Sequence, residues 1–110
     1  MASLGTTTFK GRSGKQYRFH VFPLGTRFRK ISGVYVVACR DRVADGGYCY
    51  TALFAGRTVD LSQPFAEHPQ AQACAQHGAN CICVLKDRSE ASRVAKEQDL
   101  LAALHRPDNH

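Results

Sequence analysis

The sequence contains no tryptophan, one methionine, and nine acidic residues against fifteen lysines and arginines. It also has no long apolar run. No window approaches the roughly 18 consecutive apolar residues of a membrane span, so no membrane partner is expected. There is no internal repeat, low-complexity tract or linker, which supports a single domain. The opening stretch, MASLGTTTFKGRSG, lacks an apolar core. Residues 1–14 are therefore expected to be a loose tail rather than a signal peptide, with one domain over 15–110. The five cysteines (Cys39, Cys49, Cys74, Cys81, Cys83) are an odd set. Without a secretion signal, that points to reduced thiols and a cytoplasmic location. Their spacing also suits zinc poorly. Zinc sites favour paired Cys-x2–4-Cys knuckles, whereas Cys81 and Cys83 alternate on one strand face as small apolar fillers, so no zinc is expected.

The shortage of acid is uneven. Residues 1–60 hold ten lysines and arginines against Asp41, Asp45 and Asp60, while residues 61–110 carry a net −1. The overall +6 and pI of about 9.3 are thus an N-terminal property. A basic half of this kind is the electrostatic footprint of a nucleic-acid partner. Arg27, Arg29, Lys30, Arg40, Arg42 and Arg57 are the candidate contacts. A protein partner is the other possibility.

Tyr17 to Phe22 alternates as a strand does, with Tyr17, Phe19 and Val21 on one face and Pro23 closing it. Val34 to Cys39 is a short β-branched run that reads as a central strand. Asp45-Gly46-Gly47 is a turn signal, and Tyr48 to Ala55 returns as the second arm of a hairpin, with Gly56 breaking it. Asp60 to Gln76 predicts helix in pieces: Pro64 suits a first turn and Pro69 should split the helix. Cys81 to Leu85 is another strand. Asp87-Arg88-Ser89-Glu90 resembles a capping box and starts a helix that runs to about His105, before Pro107. The result is α+β: a small antiparallel sheet of three to four strands flanked by helices.

On that last helix Val94, Glu97, Leu101 and Leu104 share a face, with Lys96 and Asp99 opposite. A carboxylate pointing toward the core needs a partner. For Glu97 the choices are an arginine such as Arg57 or Arg93, a set of hydrogen-bond donors, or a metal ion.

Gly33-Val34-Tyr35 on one strand and Phe54-Ala55-Gly56 on the next, continued by Arg57-Thr58-Val59-Asp60-Leu61, resemble the two signatures of the GIY-YIG nuclease superfamily. His68 and His77 fall where some members carry histidines. Glu97-Gln98-Asp99-Leu100-Leu101, then Pro107 and Asn109, resemble the family's closing pattern. The resemblance runs from Gly33 to Asn109. It implies a GIY-YIG-like fold and hydrolysis of phosphodiesters, in DNA ahead of RNA, with one divalent metal. The implied catalytic set is Tyr35, Phe54, Arg57, His68, Glu97 and Asn109. Glu97 would bind Mg²⁺ or Mn²⁺, hard cations suited to a carboxylate, and Tyr35 would help activate water. Two positions depart from the pattern. Phe54 lacks the hydroxyl of the second signature; Tyr50 lies on the same face but about 13 Å away at ~3.3 Å per residue. Pro64 stands where the family carries a helix arginine, and losing one such donor costs ~10²–10³ in rate. The expectation is a divergent endonuclease of weak or altered mechanism; the alternative is an inactive module that binds nucleic acid or a protein.

Overall fold

The computed structural model describes residues 3–104. Five strands form one antiparallel sheet: β1 (Gly5–Lys10), β2 (Gln16–Pro23), β3 (Gly33–Arg42), β4 (Tyr48–Thr58) and β5 (Cys81–Lys86). Their spatial order is β1-β2-β5-β3-β4. The fold is α+β as expected, with five strands instead of three or four. The expected strands at Tyr17–Phe22 and Cys81–Leu85 both join the sheet: β5 pairs with β3, and β2 with β5. The fifth strand, β1, comes from the stretch expected to be a loose tail. It pairs with β2 from Gly5↔Val21 to Lys10↔Gln16.

Strand alternation sorts the side chains onto two faces. The first face collects Phe19, Val21, Val34, Val36, Ala38, Ala55, Cys81 and Cys83, capped by Leu100 of helix α2 (Glu90–Leu104). The second collects Tyr35, Val37, Ile82 and Val84 with Leu61 and Cys74. It is covered by a single 3₁₀ turn (Phe65–Glu67), by α1 (Ala71–Gln76) and by Phe28 and Ile31 of the β2–β3 connector. The helical region is split where Pro69 requires it, and Pro64 precedes the first turn.

Two details of β3–β4 position the candidate site. Gly56 does not end β4; pairing continues through Gly56↔Tyr35 to Thr58↔Gly33. Between Val37 and Ala38 the register shifts, leaving Leu53 of β4 as an extra residue. Such a bulge reverses the faces of everything beyond it. Phe54 therefore lies on the second face with Tyr35, and Tyr50, opposite Arg40, on the first. Tyr50 does not share the face of Phe54.

Helix α2 starts as the sequence suggests. The Ser89 carbonyl accepts from Arg93 N–H, and its hydroxyl accepts from Ser92 N–H. Asp87 accepts from Ser89 N–H, Ser92 Oγ and Lys96 Nζ. Asp99 is not on a solvated far side. Its carboxylate accepts from Ser13 and from the Tyr17 hydroxyl, tying α2 to the β1–β2 turn. Gly11 leaves room for it, since a Cβ there would collide with that carboxylate.

These contacts set an acid dependence. Lys96 and then Ser92 hold the Asp87 carboxyl at about 2, below its ordinary value, and Ser13 and Tyr17 hold Asp99 low as well. A depressed folded-state pKa contributes stability that is complete above the unfolded value of about 3.9 and fades as pH falls toward 2. Urea melts should therefore show a flat contribution from Asp87 between pH 7 and 5 and a loss from pH 4 to 2. Asp87→Asn should flatten that acid limb.

Candidate functional site

Tyr35 lies at the centre of the sheet, on the second face, and is 8% exposed. Its ring meets Phe54 at 6.3 Å and Phe65 at 6.1 Å between centroids. It leans across Gly56, its cross-strand partner: a Cβ on Gly56 would lie 2.5 Å from the Tyr35 hydroxyl. Gly56 is thus a close-approach glycine. Gly33 is another, because a Cβ there would lie 2.5 Å from the Leu85 carbonyl oxygen. The Tyr35 hydroxyl is pushed up to about 12, first by burial, then by the negative charge of Glu97 and by Cys74. At neutral pH it stays protonated.

Glu97 sits on the packed side of α2, on one line with Arg93, Leu100 and Leu104. Its partner is Arg57, whose Nη1 donates to Glu97 Oε1. Arg57 opposes Val34 and so belongs to the first face. The side chains are 43% exposed for Arg57 and 17% for Glu97. Tyr35 and Glu97 therefore approach β4 from opposite faces, with Gly56 and Arg57 between them. The pair borders a cleft of about 420 Å³ lined by Arg57, Thr58, Val59, Glu90, Arg93 and Glu97. Arg93, 6% exposed, donates to the Asp87 carbonyl oxygen.

The donors in that cleft do not fit a divalent cation as they stand. Glu97 is already neutralised by a guanidinium, and Glu90 is the one other carboxylate among the described residues lining it. No group of three or more His, Cys, Asp or Glu suited to a metal ion occurs among the described residues.

The rest of the implied set divides. Phe54 and His68 join Tyr35: His68 lies 5.0 Å from Phe54 and stacks on Phe65 at 5.2 Å and 19°. Its Nδ1 accepts from Gln70 N–H, which places the proton of the neutral ring on Nε2. Pro64 is exposed and brings no cation. His77 caps the end of α1, away from this cluster, and is exposed. Asn109 lies outside the described residues. The structure thus gathers Tyr35, Phe54 and His68 on the second face and joins Arg57 to Glu97 on the first.

The six candidate nucleic-acid contacts do not form one patch. Arg27, Arg29 and Lys30 are exposed on the connector whose Phe28 and Ile31 pack onto the second face. Arg57 stands near the Gly33 end of β3. Arg40 and Arg42 lie toward its other end, about 20 and 26 Å along the strand from the Arg57 pairing position at ~3.3 Å per residue, on the first face. Sequence reasoning missed Tyr48, whose ring carries the Arg40 guanidinium 3.6 Å from its centroid. The signal was there in the alternation of Arg40 and Arg42 with Tyr48 and Tyr50 across the hairpin, but the pairing register decides which of them meet. No known protein family, characterised protein or solved structure matches the chain.

Proposed function

We propose that this chain is a GIY-YIG-type module that binds nucleic acid through its basic surface and does not cleave it. One observation carries the reading: the carboxylate expected to hold the metal, Glu97, is bound by Arg57. Three others agree with it. The Tyr35 hydroxyl is pushed up to about 12 by burial and by the negative charge of Glu97, the opposite of the acidified hydroxyl that water activation calls for. Phe54 has no hydroxyl, and position 64 has no cation. The GIY-YIG reading itself rests on the resemblance of the sequence motifs, and an α+β fold with an antiparallel sheet and helices on both faces is compatible with it.

A second reading, a weak endonuclease using Mg²⁺ or Mn²⁺, is favoured by the cleft beside Glu97 and by the reach of its charge to Tyr35. It requires Arg57 to leave Glu97. Binding without cleavage predicts a mobility shift of nucleic acid that weakens as salt rises, since phosphate contacts release counterions. Glu97→Ala should leave that shift in place. No shift even at low salt would contradict nucleic-acid binding and leave a protein as the partner.

A further inference from the structure

The β3–β4 hairpin is longer than the sheet that supports it. β5 pairs with β3 only from Gly33 to Ala38. Beyond that point Cys39–Arg42 and Tyr48–Thr51 continue as a two-stranded ribbon, braced at Arg40 by the Asn80 side chain, which accepts from Arg40 N–H and donates to the Arg40 carbonyl. Its tip is closed by Val43 N–H to the Gly47 carbonyl and Gly46 N–H to the Val43 carbonyl, with Gly46 at φ +91°.

The bulge at Leu53 gives this ribbon two unlike faces. One carries Arg40 opposite Tyr50 and Arg42 opposite Tyr48; the other carries Cys39 opposite Thr51 and Asp41 opposite Cys49. On the first, the Arg40 guanidinium lies over one side of the Tyr48 ring, and the tyrosine remains 46% exposed. Arg40 Nε is buried without an acceptor. An arginine stacked on an exposed ring therefore stands beside a second arginine about 7 Å along the strand. Base stacking on an aromatic ring with adjacent cations for the backbone is how single strands are held without sequence readout.

We propose that the Arg40–Arg42–Tyr48 face of this ribbon, outward of Tyr50, which packs against the first core, is a binding site for single-stranded nucleic acid. One base stacks on the open side of Tyr48, and Arg40 and Arg42 engage the flanking phosphates. The proposal rests on the nucleic-acid reading above and narrows it to unpaired strands. Duplex is the poorer ligand because its bases are already stacked on each other and present no free ring face.

The test is fluorescence anisotropy of labelled 12-residue oligothymidylate, oligouridylate and a duplex of equal length, titrated with the full chain at 50 mM and 150 mM salt. Both single strands should bind more tightly than the duplex. Tyr48→Ala should weaken single-strand binding about tenfold or more, the effect of losing one stacked base, while Tyr48→Phe stays within about twofold. Arg42→Gln should lower the slope of log affinity against log salt by about 0.7, one phosphate contact on a single strand. Unchanged melting temperatures would show that the variants fold. Equal affinity for Tyr48→Ala and wild type, or preference for the duplex, overturns the ribbon site while leaving nucleic-acid binding intact. No binding of any ligand at 50 mM salt overturns both.

Discussion

Gly33→Ala should be among the most damaging single substitutions in the protein. The added methyl would meet the Leu85 carbonyl oxygen at 2.5 Å and Leu61 Cδ1 at 3.4 Å. The first of these atoms is backbone, and it belongs to the β3–β5 ladder (Gly33↔Lys86, Val34↔Leu85). It cannot turn aside as a side chain can. β3 is bonded on both edges, so moving it also strains the pairing with β4. Overpacking typically costs 1–3 kcal/mol; with backbone as the obstacle, a loss of about 3 kcal/mol is expected. Urea unfolding should read this as a midpoint lowered by more than about 1 M, from the usual slope of 1–3 kcal/mol/M. A change of less than about 0.5 kcal/mol would show that Gly33 is not there for packing.

The second large effect is at Tyr35. Its ring covers Gly56 and packs on Phe54 and Phe65 inside the second core. Tyr35→Ala should cost about 3–5 kcal/mol, as for other buried aromatics cut back to alanine. Tyr35→Phe keeps the ring over Gly56 and should cost under about 1 kcal/mol. The contrast separates two roles. A core tyrosine loses little as phenylalanine in either stability or nucleic-acid binding. A reacting tyrosine would keep its stability as phenylalanine and lose an activity.

Much of this arrangement can be read from local pattern. The alternation of Tyr17 to Val21, the β-branched run after Gly33, the Asp45-Gly46-Gly47 turn, the split at Pro69 and the helix start over Asp87-Arg88-Ser89-Glu90 are short-range signals, and each element forms where its signal lies. The misreadings are long-range. Gly5–Lys10 looks like a tail because an edge strand needs only a weak apolar face: Thr7 and Phe9 are half-buried and the other four residues are exposed. Gly56 looks like a breaker because nothing nearby announces that Tyr35 will lie across it. The Leu53 bulge has no composition signal, yet it alone moves Tyr50 to the face away from Phe54. Asp99 looks solvated on a helical wheel, but α2 lies close enough to the β1–β2 turn for Ser13 and Tyr17 to reach it.

The candidate site is legible in the sequence as residue types and not as an arrangement. Glu97 needs a partner, and Arg57 is among those the sequence offers; choosing between an arginine and a metal ion depends on where β4 ends relative to α2. Tyr35 and Glu97 keep the types of the resembled motif, but strand alternation sends Tyr35 to one face while α2 covers the other. The basic residues cluster in the first half of the chain, yet a ten-residue β3 carries Arg40 and Arg42 far from Arg57.

Supercoiled plasmid incubated with the protein and Mn²⁺, resolved once under native conditions and once after the protein is stripped away, tests the central claim most directly. Whatever retardation the first gel shows, the Arg57–Glu97 pair predicts intact supercoils in the second, for wild type and Glu97→Ala alike. Mn²⁺-dependent nicked circles produced by wild type and absent with Glu97→Ala would contradict it.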